Sequence, residues 1–432
     1  MSKKPKKNMA QKAIQVCAHW QGMADPVLMG TLYAAPSRGK EIFSFEYEPS
    51  WLKSPYAQLL DPDLGLFSGP QYARDGHDNF GLFLDSSPDR WGRVLMQRRE
   101  AQLAKVEDRD TRPLMESDYL LGVYDGHRMG ALRFRLSEDS PFLDDQADMA
   151  APPWTKLRDL EYASLQLERE NAESEQDYMT WLKLLIAPGG SLGGARPKAS
   201  VLDESGHPWI AKFPSRRDEI NIGKWEYLVY QLAQTAGIET ATSQIKRFSG
   251  EYDTFLSRRF DRTEAQERIH FASAMTLLGK KDGDGGDTGV SYLDLAAFLM
   301  KNGAQVNEDL EQLWRRIVFY ICVSNTDDHL RNHGFLLTDR GWSLSPAYDM
   351  NPVASGGGLA LNISKDDNSQ DLDLARSIAP VFRISEQRAK EIIAEIIKVV
   401  RTWPDLAKQL KFPAREISVM KNAFRVADED GS

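Results

Sequence analysis

The spacing of apolar residues changes along the chain, from alternation near its start to helical periods further on. Residues 42–47 (IFSFEY) alternate apolar and polar positions, which indicates a strand with one buried face. Residues 14–16, 27–33 and 130–136 are strand-like as well, whereas residues 81–103 have helical spacing. The first third of the chain is therefore predicted to combine a sheet with helices.

The middle of the chain shows a break and then a second set of strands. Residues 137–153 (SEDSPFLDDQADMAAPP) are polar, acidic and rich in proline, which is typical of a linker or a surface excursion. Residues 154–185 are mostly helical in spacing. Strand-like runs follow at residues 199–202, 208–214, 243–248 and 255–260, with a helix at residues 224–236. We expect this region to form a five-stranded lobe.

The longest apolar run lies in the last third. Residues 313–323 suit a buried helix, and the helix containing them is predicted over residues 307–323, after another at 291–300. Residues 334–337 and 342–344 flank the turn TDRG, which is a hairpin signal. Residues 385–402 place their apolar side chains on one helical face, which favours packing on a core.

Composition excludes several classes of protein. The 432 residues are 41% hydrophobic and 27% charged, and the net charge of −9 argues against non-specific nucleic-acid binding by the whole molecule. No run approaches the roughly 20 apolar residues of a membrane helix, so no membrane partner and a cytoplasmic location are expected. Cys17 and Cys322 alone make neither a disulfide framework nor a zinc pattern.

A glycine-rich acidic run, KKDGDGGDTG at residues 280–289, invites comparison with an EF-hand. It has Gly286, Asp287 and Leu293 at the fifth, sixth and twelfth positions, where a calcium loop needs an oxygen ligand, a glycine and a glutamate. The run is therefore interpreted as a mobile acidic loop.

The polar loop after the buried helix carries the candidate chemistry. Asp327 and Asn332 lie five residues apart in it, and Asp349 follows the hairpin. Kinases use one carboxylate to accept or orient the hydroxyl proton of the substrate, and an amide with a second carboxylate to hold Mg²⁺ against the phosphates. The D-x-x-x-x-N spacing is that of the protein-kinase catalytic loop, although His-Arg-Asp is absent and Tyr-Asp-Met replaces Asp-Phe-Gly. The alternative is that Asp327 and Asn332 only cap a turn.

A second informative stretch, PGGSLGGARPKA, lies at residues 188–199. A glycine-rich loop lets backbone N–H groups approach phosphates, although this one matches neither a Walker A motif nor a dinucleotide fingerprint. The next strand places Lys212 between apolar residues, and the following helix offers Glu226 as its partner, which is the arrangement of a kinase N-lobe. The alternatives are a flexible surface loop and a strand-edge lysine that reaches solvent.

The order of these elements and several longer motifs resemble the HipA family, the kinase toxins of type II toxin–antitoxin modules. The similar segments span nearly the whole chain and are FSFEYEPSWL, FGLFLDSSPDRWGR, GGSLGGARPKA, WIAKFP, SRRFDR, TDDHLRN and SPAYDMNP. The resemblance implies an α+β, bilobal protein-kinase-like fold, with a β-rich N-lobe, an α-helical C-lobe and an N-terminal β-rich subdomain.

Domain boundaries follow from the patterns and the resemblance together. They are a basic flexible tail (1–12), the HipA-like N-terminal subdomain (13–136), a linker (137–153), the N-lobe with its glycine-rich loop (154–262), the helical C-lobe (263–427) and a flexible tail (428–432).

The resemblance also implies roles for individual residues. Asp327 would be the catalytic base, Asn332 and Asp349 would hold Mg²⁺, and Ser191 would be autophosphorylated, which inactivates the family's kinases. The implied ATP-binding residues are Lys212, Arg258, Arg259, Phe260, His329, Tyr348, Gly193 and Gly194, with Glu226 as the ion-pair candidate. Arg258 departs from the family pattern, where a glutamate is expected in the hinge, although adenine contacts there are largely made by the backbone.

The implied function is an ATP- and Mg²⁺-dependent serine/threonine protein kinase that acts as the toxin of a HipBA-like module. The family's known targets are aminoacyl-tRNA synthetases, and its usual partner is a HipB-like helix-turn-helix antitoxin through which it reaches operator DNA indirectly. Two alternatives remain open. One is a small-molecule kinase with the same core, and the other is a catalytically silent corepressor bound to such an antitoxin.

Overall fold

The computed structural model describes residues 11–146, 150–186 and 196–429. Ser191, Gly193 and Gly194, predicted to act in the glycine-rich loop, lie outside these residues, as do residues 1–10 and 430–432 of the predicted tails.

A five-stranded antiparallel sheet forms the first part of the chain. Its strands are β1 (Lys12–Ala18), β2 (Val27–Ser37), β3 (Lys40–Tyr47), β4 (Gln71–Tyr72) and β5 (Leu132–Arg135), in the spatial order β4-β3-β2-β1-β5. In β3, Phe43, Phe45 and Tyr47 are buried while Ile42 and Glu46 are exposed, so the alternation in the sequence reports a one-sided sheet as predicted.

Three helices share the apolar core of this sheet, namely α1 (Pro49–Leu52), α2 (Gly81–Leu84) and α4 (Glu116–Leu121), whereas α3 (Arg90–Val106) packs against a later helix. Asp89 caps α3, because its carboxylate accepts a 2.7 Å hydrogen bond from the backbone N–H of Gly92. The aromatic rings of Phe45, Phe83 and Phe134 lie against one another where strands and helices meet.

The second part begins with α5 (Leu157–Leu167) and α6 (Tyr178–Ile186) and continues into an antiparallel sheet. Its strands are β6 (Lys198–Leu202), β7 (Pro208–Lys212), β8 (Ser243–Lys246) and β9 (Thr254–Arg258), in the order β6-β7-β9-β8, with α7 (Ile222–Thr235) between β7 and β8. Among the described residues this sheet has four strands, one fewer than the five predicted.

The third part is mainly helical and carries a small sheet. Its elements are β10 (Phe271–Ser273), α8 (Ala274–Leu277), α9 (Tyr292–Asn302), α10 (Val306–Val323), β11 (Gly334–Thr338), β12 (Gly341–Leu344), α11 (Leu372–Ile378), α12 (Glu386–Val400), α13 (Trp403–Gln409), α14 (Ala414–Met420) and α15 (Arg425–Glu429). Strands β11 and β12 form the predicted hairpin, and β10 pairs with β11. Every residue of α10 from Leu313 to Val323 is buried, which confirms the predicted buried helix.

Two apolar cores hold these parts together. The larger one joins the N-terminal sheet, α7 and the helices of the third part. The smaller one joins α5 and α6 to the inner faces of β6, β7 and β9, and Trp91 and Leu95 of α3 contribute to it. No helix in the described part of the chain has both the length and the apolar character needed to cross a bilayer.

The C-terminal helical segment packs against α7 and fixes its position. The ring of Trp225 on α7 packs 4.1 Å from that of Phe412, measured between centroids. The carboxylate of Glu416 accepts hydrogen bonds of 3.1 Å from the Trp225 indole and from the backbone N–H of Asn221. These contacts matter for the site, because the residue after Trp225 is Glu226.

Candidate active site

A cleft that is partly open to solvent lies between the β6–β9 sheet and the helical part. Ile210, Phe255, Phe260, Phe271 and Met350 form much of its apolar wall. Its charged lining residues are Asp85, Asp89, Lys212, Glu226, Arg258, Arg259, Arg331 and Asp349. An apolar cavity with a few convergent polar groups is the usual form of a small-molecule site.

Lys212 is the electrostatic centre of the cleft. It ends β7, and its ammonium lies 2.6 Å from Glu226 Oε1 and 2.7 Å from Asp349 Oδ1. The Glu226 side chain is 4% exposed, whereas that of Asp349 is 30% exposed and therefore open to the cleft. The tertiary structure thus brings together a strand lysine, a helix glutamate and the aspartate after the hairpin.

The pKa values of the three groups reflect one cation shared between two carboxylates. Burial alone would lower the pKa of Lys212, but Asp349 and Glu226 raise it to about 12. Burial would raise the pKa of Asp349, yet the Lys212 ammonium outweighs burial and lowers it to about 2. Burial also raises the pKa of Glu226, to about 7, because Lys212 offsets only part of the cost. The cluster therefore has spare negative charge.

Asp349 is held in an unusual backbone conformation. Its φ of +56° is left-handed, which an L residue adopts at a cost of roughly 1–3 kcal/mol. Its carboxylate also accepts a 2.9 Å hydrogen bond from Asn351 Nδ2, and the backbone N–H of Asn351 donates in turn to Asn325 Oδ1. These neighbours hold the Asp349 carboxylate towards Lys212, and this orientation requires the strained backbone conformation.

The loop after α10 presents Asp327 at a second cleft. Ser324 ends the helix in a left-handed conformation with φ +49°, and the chain then turns sharply. Asp327 is exposed and lines this second cleft together with His329 and Arg331. Asn332 is buried and donates a 3.0 Å hydrogen bond from Nδ2 to the carbonyl of Asp327, so the two predicted residues brace one loop.

The buried carboxylate of Asp328, which was not predicted from the sequence, anchors this loop to the protein core. Asp328 Oδ2 accepts a 2.6 Å hydrogen bond from the Tyr292 hydroxyl and lies 2.7 Å from His333 Nε2. All three side chains are buried. The signal available in the sequence was the pair of adjacent aspartates: one faces out to the cleft and the other is bonded within the core.

The predicted adenine-side residues line the first cleft to different degrees. Phe260 and Tyr348 pack with ring centroids 5.4 Å apart, and the Tyr348 hydroxyl donates a 2.6 Å bond to the Arg331 carbonyl. Arg258 pairs with Glu264 at 2.8 Å. The Arg259 guanidinium is bonded to Asp261 and to backbone carbonyls of the N-terminal part, so nucleotide contact there would fall to its backbone.

The N-terminal part supplies one wall of the cleft, which the sequence did not indicate. Asp85, Ser87 and Asp89 lie between α2 and the start of α3 and line the cavity. Asp85 accepts hydrogen bonds of 2.7 and 2.8 Å from the backbone N–H and the hydroxyl of Ser273, and Asp89 lies 2.9 Å from Lys198 Nζ on β6. Their carboxylates thus join the N-terminal part to both sides of the cleft.

The donor set suits magnesium better than a transition metal. No group of three His, Cys, Asp or Glu side chains among the described residues is arranged to hold an ion. Magnesium takes oxygen ligands, keeps several waters and is commonly held by one or two protein oxygens plus substrate phosphates. Asp349, exposed to the cleft and part of a cluster with surplus negative charge, fits that requirement.

The fold is that of a bilobal, kinase-like protein. The structure matches HipA of Shewanella oneidensis MR-1, solved in a complex with HipB and operator DNA, with a TM-score of 0.66 and 17% sequence identity over 96% of this chain and 95% of that one. This likeness confirms the predicted α+β fold class. Residues 190–403 match the family model of the HipA-like C-terminal domain, so this part of the chain belongs to that family and the predicted resemblance to HipA proteins is confirmed.

Two curated relatives are named as candidate kinases. One, from Haemophilus influenzae, is 26% identical over 199 residues, which are 42% of this chain and 57% of that protein. The other, Y4dM of Sinorhizobium fredii, is 26% identical over 231 residues, which are 49% of this chain and 55% of that protein. The chain therefore spans little more than half the length of these relatives.

Proposed function

We propose that this protein is an ATP- and Mg²⁺-dependent serine/threonine protein kinase and the toxin of a HipBA-like module. The observation that carries the proposal is Lys212, which lies within 2.7 Å of both Glu226 and Asp349 in a cleft beside the Asp327–Asn332 loop. A kinase needs this lysine–glutamate pair and this aspartate in place together. The HipA family and the names of the two relatives support the same class of reaction.

In the proposed reaction each residue has a defined task. Lys212 contacts the nucleotide phosphates, and Glu226 keeps its ammonium directed into the cleft. The acceptor hydroxyl oxygen forms a bond to the γ-phosphorus while the bond from that phosphorus to ADP breaks, and the hydroxyl proton passes to the Asp327 carboxylate. Asp327 suits this task because it is exposed at the second cleft, where a protein segment can approach.

Asn332 and Asp349 are the proposed magnesium ligands. Bound there with water and phosphate oxygens, the ion would neutralise phosphate charge. Asn332 also braces the Asp327 carbonyl, so metal and base would be held by one short loop. The backbone at the hinge, residues 258–260, together with Tyr348 and His329, is proposed to contact the nucleoside or its phosphates.

Ser191 is the proposed site of self-modification, and Gly193 and Gly194 the proposed phosphate-contacting glycines. A phosphate on Ser191 adds about −1.5 to −2 charge beside the ATP phosphates, and the repulsion would disfavour nucleotide binding. The described residues that follow this loop are tethered, since Arg196 pairs with Asp218 and Lys198 with Asp89. A charge on Ser191 would therefore act on the loop itself and leave these pairs in place.

The proposed partners follow the family. They are a HipB-like helix-turn-helix antitoxin, operator DNA reached through it, and a protein substrate for which the family precedent is an aminoacyl-tRNA synthetase. The complex of HipA with HipB and operator DNA from Shewanella oneidensis MR-1 supports the antitoxin.

The test is a labelling reaction with γ-labelled ATP and Mg²⁺ on protein freed of prior phosphate, with Asp327→Ala beside it. Label on Ser191 in the wild type and at least about 10³-fold less in Asp327→Ala, with nucleotide affinity unchanged, would support the proposal. Equal labelling of both proteins would remove Asp327 as the base. A wild type that binds nucleotide and transfers nothing, with or without a HipB-like antitoxin, would favour the silent corepressor.

A further inference from the structure

The two clefts that divide the proposed reaction share one side chain. The first contains Lys212 and Asp349, and the second contains Asp327. Among the described residues, Arg331 alone lines both. A phosphoryl group in transfer leaves a donor held in the first cleft and joins an acceptor oxygen beside Asp327, so it passes the wall that Arg331 forms.

The backbone of Arg331 is fixed by hydrogen bonding, whereas its guanidinium group has only a weak partner. It lies in the short 3₁₀ turn Leu330–Asn332, and its carbonyl accepts the 2.6 Å bond from the Tyr348 hydroxyl. Its guanidinium pairs with Asp282 Oδ1 at 3.4 Å, a carboxylate whose side chain is 64% exposed. A pair of this kind contributes about 0–1 kcal/mol, so another anion can replace the aspartate at little cost.

Loop 280–289 brings Asp282 to this position. The backbone N–H of Gly286 donates 2.8 Å to the Ala360 carbonyl, and Asn362 Nδ2 donates 2.9 Å to the Gly286 carbonyl. The loop is therefore bonded to the body of the protein beside the second cleft. It places the Asp282 carboxylate 3.4 Å from the Arg331 guanidinium at the edge of this cleft.

We propose that Arg331 is a catalytic residue whose guanidinium binds the non-bridging oxygens of the phosphoryl group during transfer, in exchange for Asp282. This rests on the proposed kinase function. A planar guanidinium offers several N–H donors in a fixed geometry, which suits the three equatorial oxygens of the transferring group. An arginine placed in this way stabilises charge where it develops in the transition state, whereas its contribution to binding the nucleotide alone is small.

The direct test uses ADP, Mg²⁺ and aluminium fluoride, which mimics the planar phosphoryl group. In the wild type, aluminium fluoride should tighten ADP binding, measured by isothermal titration calorimetry. In Arg331→Gln the tightening should be about 100-fold smaller, while affinity for Mg²⁺–ADP alone stays within about threefold. Arg331→Lys should recover part of the tightening, because it keeps the charge and loses the fork.

Arg90→Gln is the matched control. Arg90 also lies near Asp282, at 4.0 Å, and lines the second cleft without lining the first. In the Arg90→Gln variant, aluminium fluoride should tighten ADP binding as much as it does in the wild type. Equal melting temperatures of the three variants would show that the fold is intact, and single-turnover labelling should fall with Arg331→Gln in proportion to the lost tightening.

The outcomes separate the two proposals. A wild type that gains affinity with aluminium fluoride, and an Arg331→Gln variant that gains as much, would overturn the role of Arg331 and leave the kinase proposal standing. A wild type that gains nothing and transfers nothing would overturn both. An equal loss in Arg90→Gln would overturn the specific role and leave a general effect of positive charge.

Discussion

Two buried charge networks in this molecule are built from similar groups and are satisfied to very different degrees. The cleft network consists of Lys212, Glu226 and Asp349. The interface network, which joins the N-terminal part to the strand end at β9, consists of Asp125, Arg128, Arg133, Arg259, Asp261, Arg262 and Arg268. The first has one cation for two carboxylates, and the second has five arginines for two.

The interface network satisfies most of its hydrogen-bonding groups internally. Asp261 is fully buried and accepts from Arg259, from Arg262 and from the backbone N–H of Gly130. Burial would raise its pKa, but the two guanidinium groups lower it well below the ordinary value. Arg128, also fully buried, donates to four backbone carbonyls at 2.7–2.9 Å. Each charge has a fixed partner, which makes this network a structural clamp.

The cleft network is incomplete by comparison. The Asp349 side chain is 30% exposed, and the pKa of Glu226 is raised to about 7 because one ammonium serves two carboxylates. Surplus negative charge facing a cavity attracts a cation, while Lys212 at the same place suits phosphate. The comparison teaches that the network with incomplete partners is the one suited to the proposed chemistry, and the satisfied network is the one that holds the fold.

The largest effect should come from removing the cation of the cleft network. Lys212→Met is expected to lower kcat/KM for phosphoryl transfer about 10³-fold, because the phosphates lose their fixed charge partner. The free energy of unfolding should fall by less than about 2 kcal/mol, since Glu226 can take up a proton once its partner is gone. Kinetics and chemical denaturation measure the two quantities.

Lys246→Met is its control, a lysine on strand β8 of the same sheet with an exposed side chain. It should retain wild-type kinetics. Similar losses of activity in both variants would contradict the special place given to Lys212.

The next effect concerns the interface network, where a substitution should lower stability and leave activity unchanged. Asp261→Asn should lower the free energy of unfolding by about 3 kcal/mol, because two buried guanidinium groups lose their shared anion. Activity per folded molecule should be retained. Denaturant unfolding measures the loss, and Asp405→Asn, from an exposed pair with Lys408, should change stability by no more than about 0.5 kcal/mol. A purely catalytic defect in Asp261→Asn would break the comparison.

Acid should weaken the interface network through His127. Burial, followed by Arg259, Arg262 and Arg268, lowers the pKa of His127 to about 3, and Asp125 offsets only part of this. Between pH 6.5 and 3 the unfolded chain therefore binds a proton that the folded protein refuses, so the free energy of unfolding decreases as pH falls. The contribution of this group reaches about 1.4 kcal/mol per pH unit.

His127→Gln should remove that contribution and keep an acceptor for the Ala151 N–H, which donates to His127 Nε2 at 2.6 Å. Denaturation midpoints between pH 4 and 7 measure it. His77→Gln, in a surface turn, should keep the wild-type pH dependence, and an unchanged slope in His127→Gln would assign the acid sensitivity to other groups.

The smallest effect should reach the cleft network from a distance. Glu416→Ala removes the acceptor that ties α14 to Asn221 and Trp225 on α7, so Glu226 should be less firmly placed. We expect KM for ATP to rise about threefold at unchanged kcat. Glu416→Gln keeps an oxygen acceptor and should restore the wild-type KM. A change in kcat with constant KM would argue that α7 does more than position Glu226.

Much of the local structure could be read from periodicity. Alternation in residues 42–47 predicted β3, the apolar run at residues 313–323 predicted the buried part of α10, and the turn TDRG predicted the hairpin. These features follow from burial on one face of an element, which leaves a trace in consecutive residues. Periodicity did not give the number of strands in the second sheet, since its described part has four strands where five were predicted.

The candidate site was only partly accessible in this way. Lys212, Glu226 and Asp349 were predicted by chemistry and order, but their meeting within hydrogen-bond distance depends on a contact across 137 residues. Asp85, Ser87 and Asp89 went unnoticed, because no local pattern shows that the start of α3 forms a wall of the cleft. The left-handed backbone of Asp349 and the position of Arg331 between two clefts could likewise not be predicted from the sequence.

The sequence by itself determined the elements, their order and the residue types that kinase chemistry needs. Periodicity and turn preferences depend on residues close together in the chain, so they can be recognised from the sequence alone. The tertiary structure alone decided which charges are shared and which are satisfied, since Coulomb and hydrogen-bond energies depend on distance and burial between segments far apart in the chain. That distinction separates the open network of the cleft from the closed clamp of the interface.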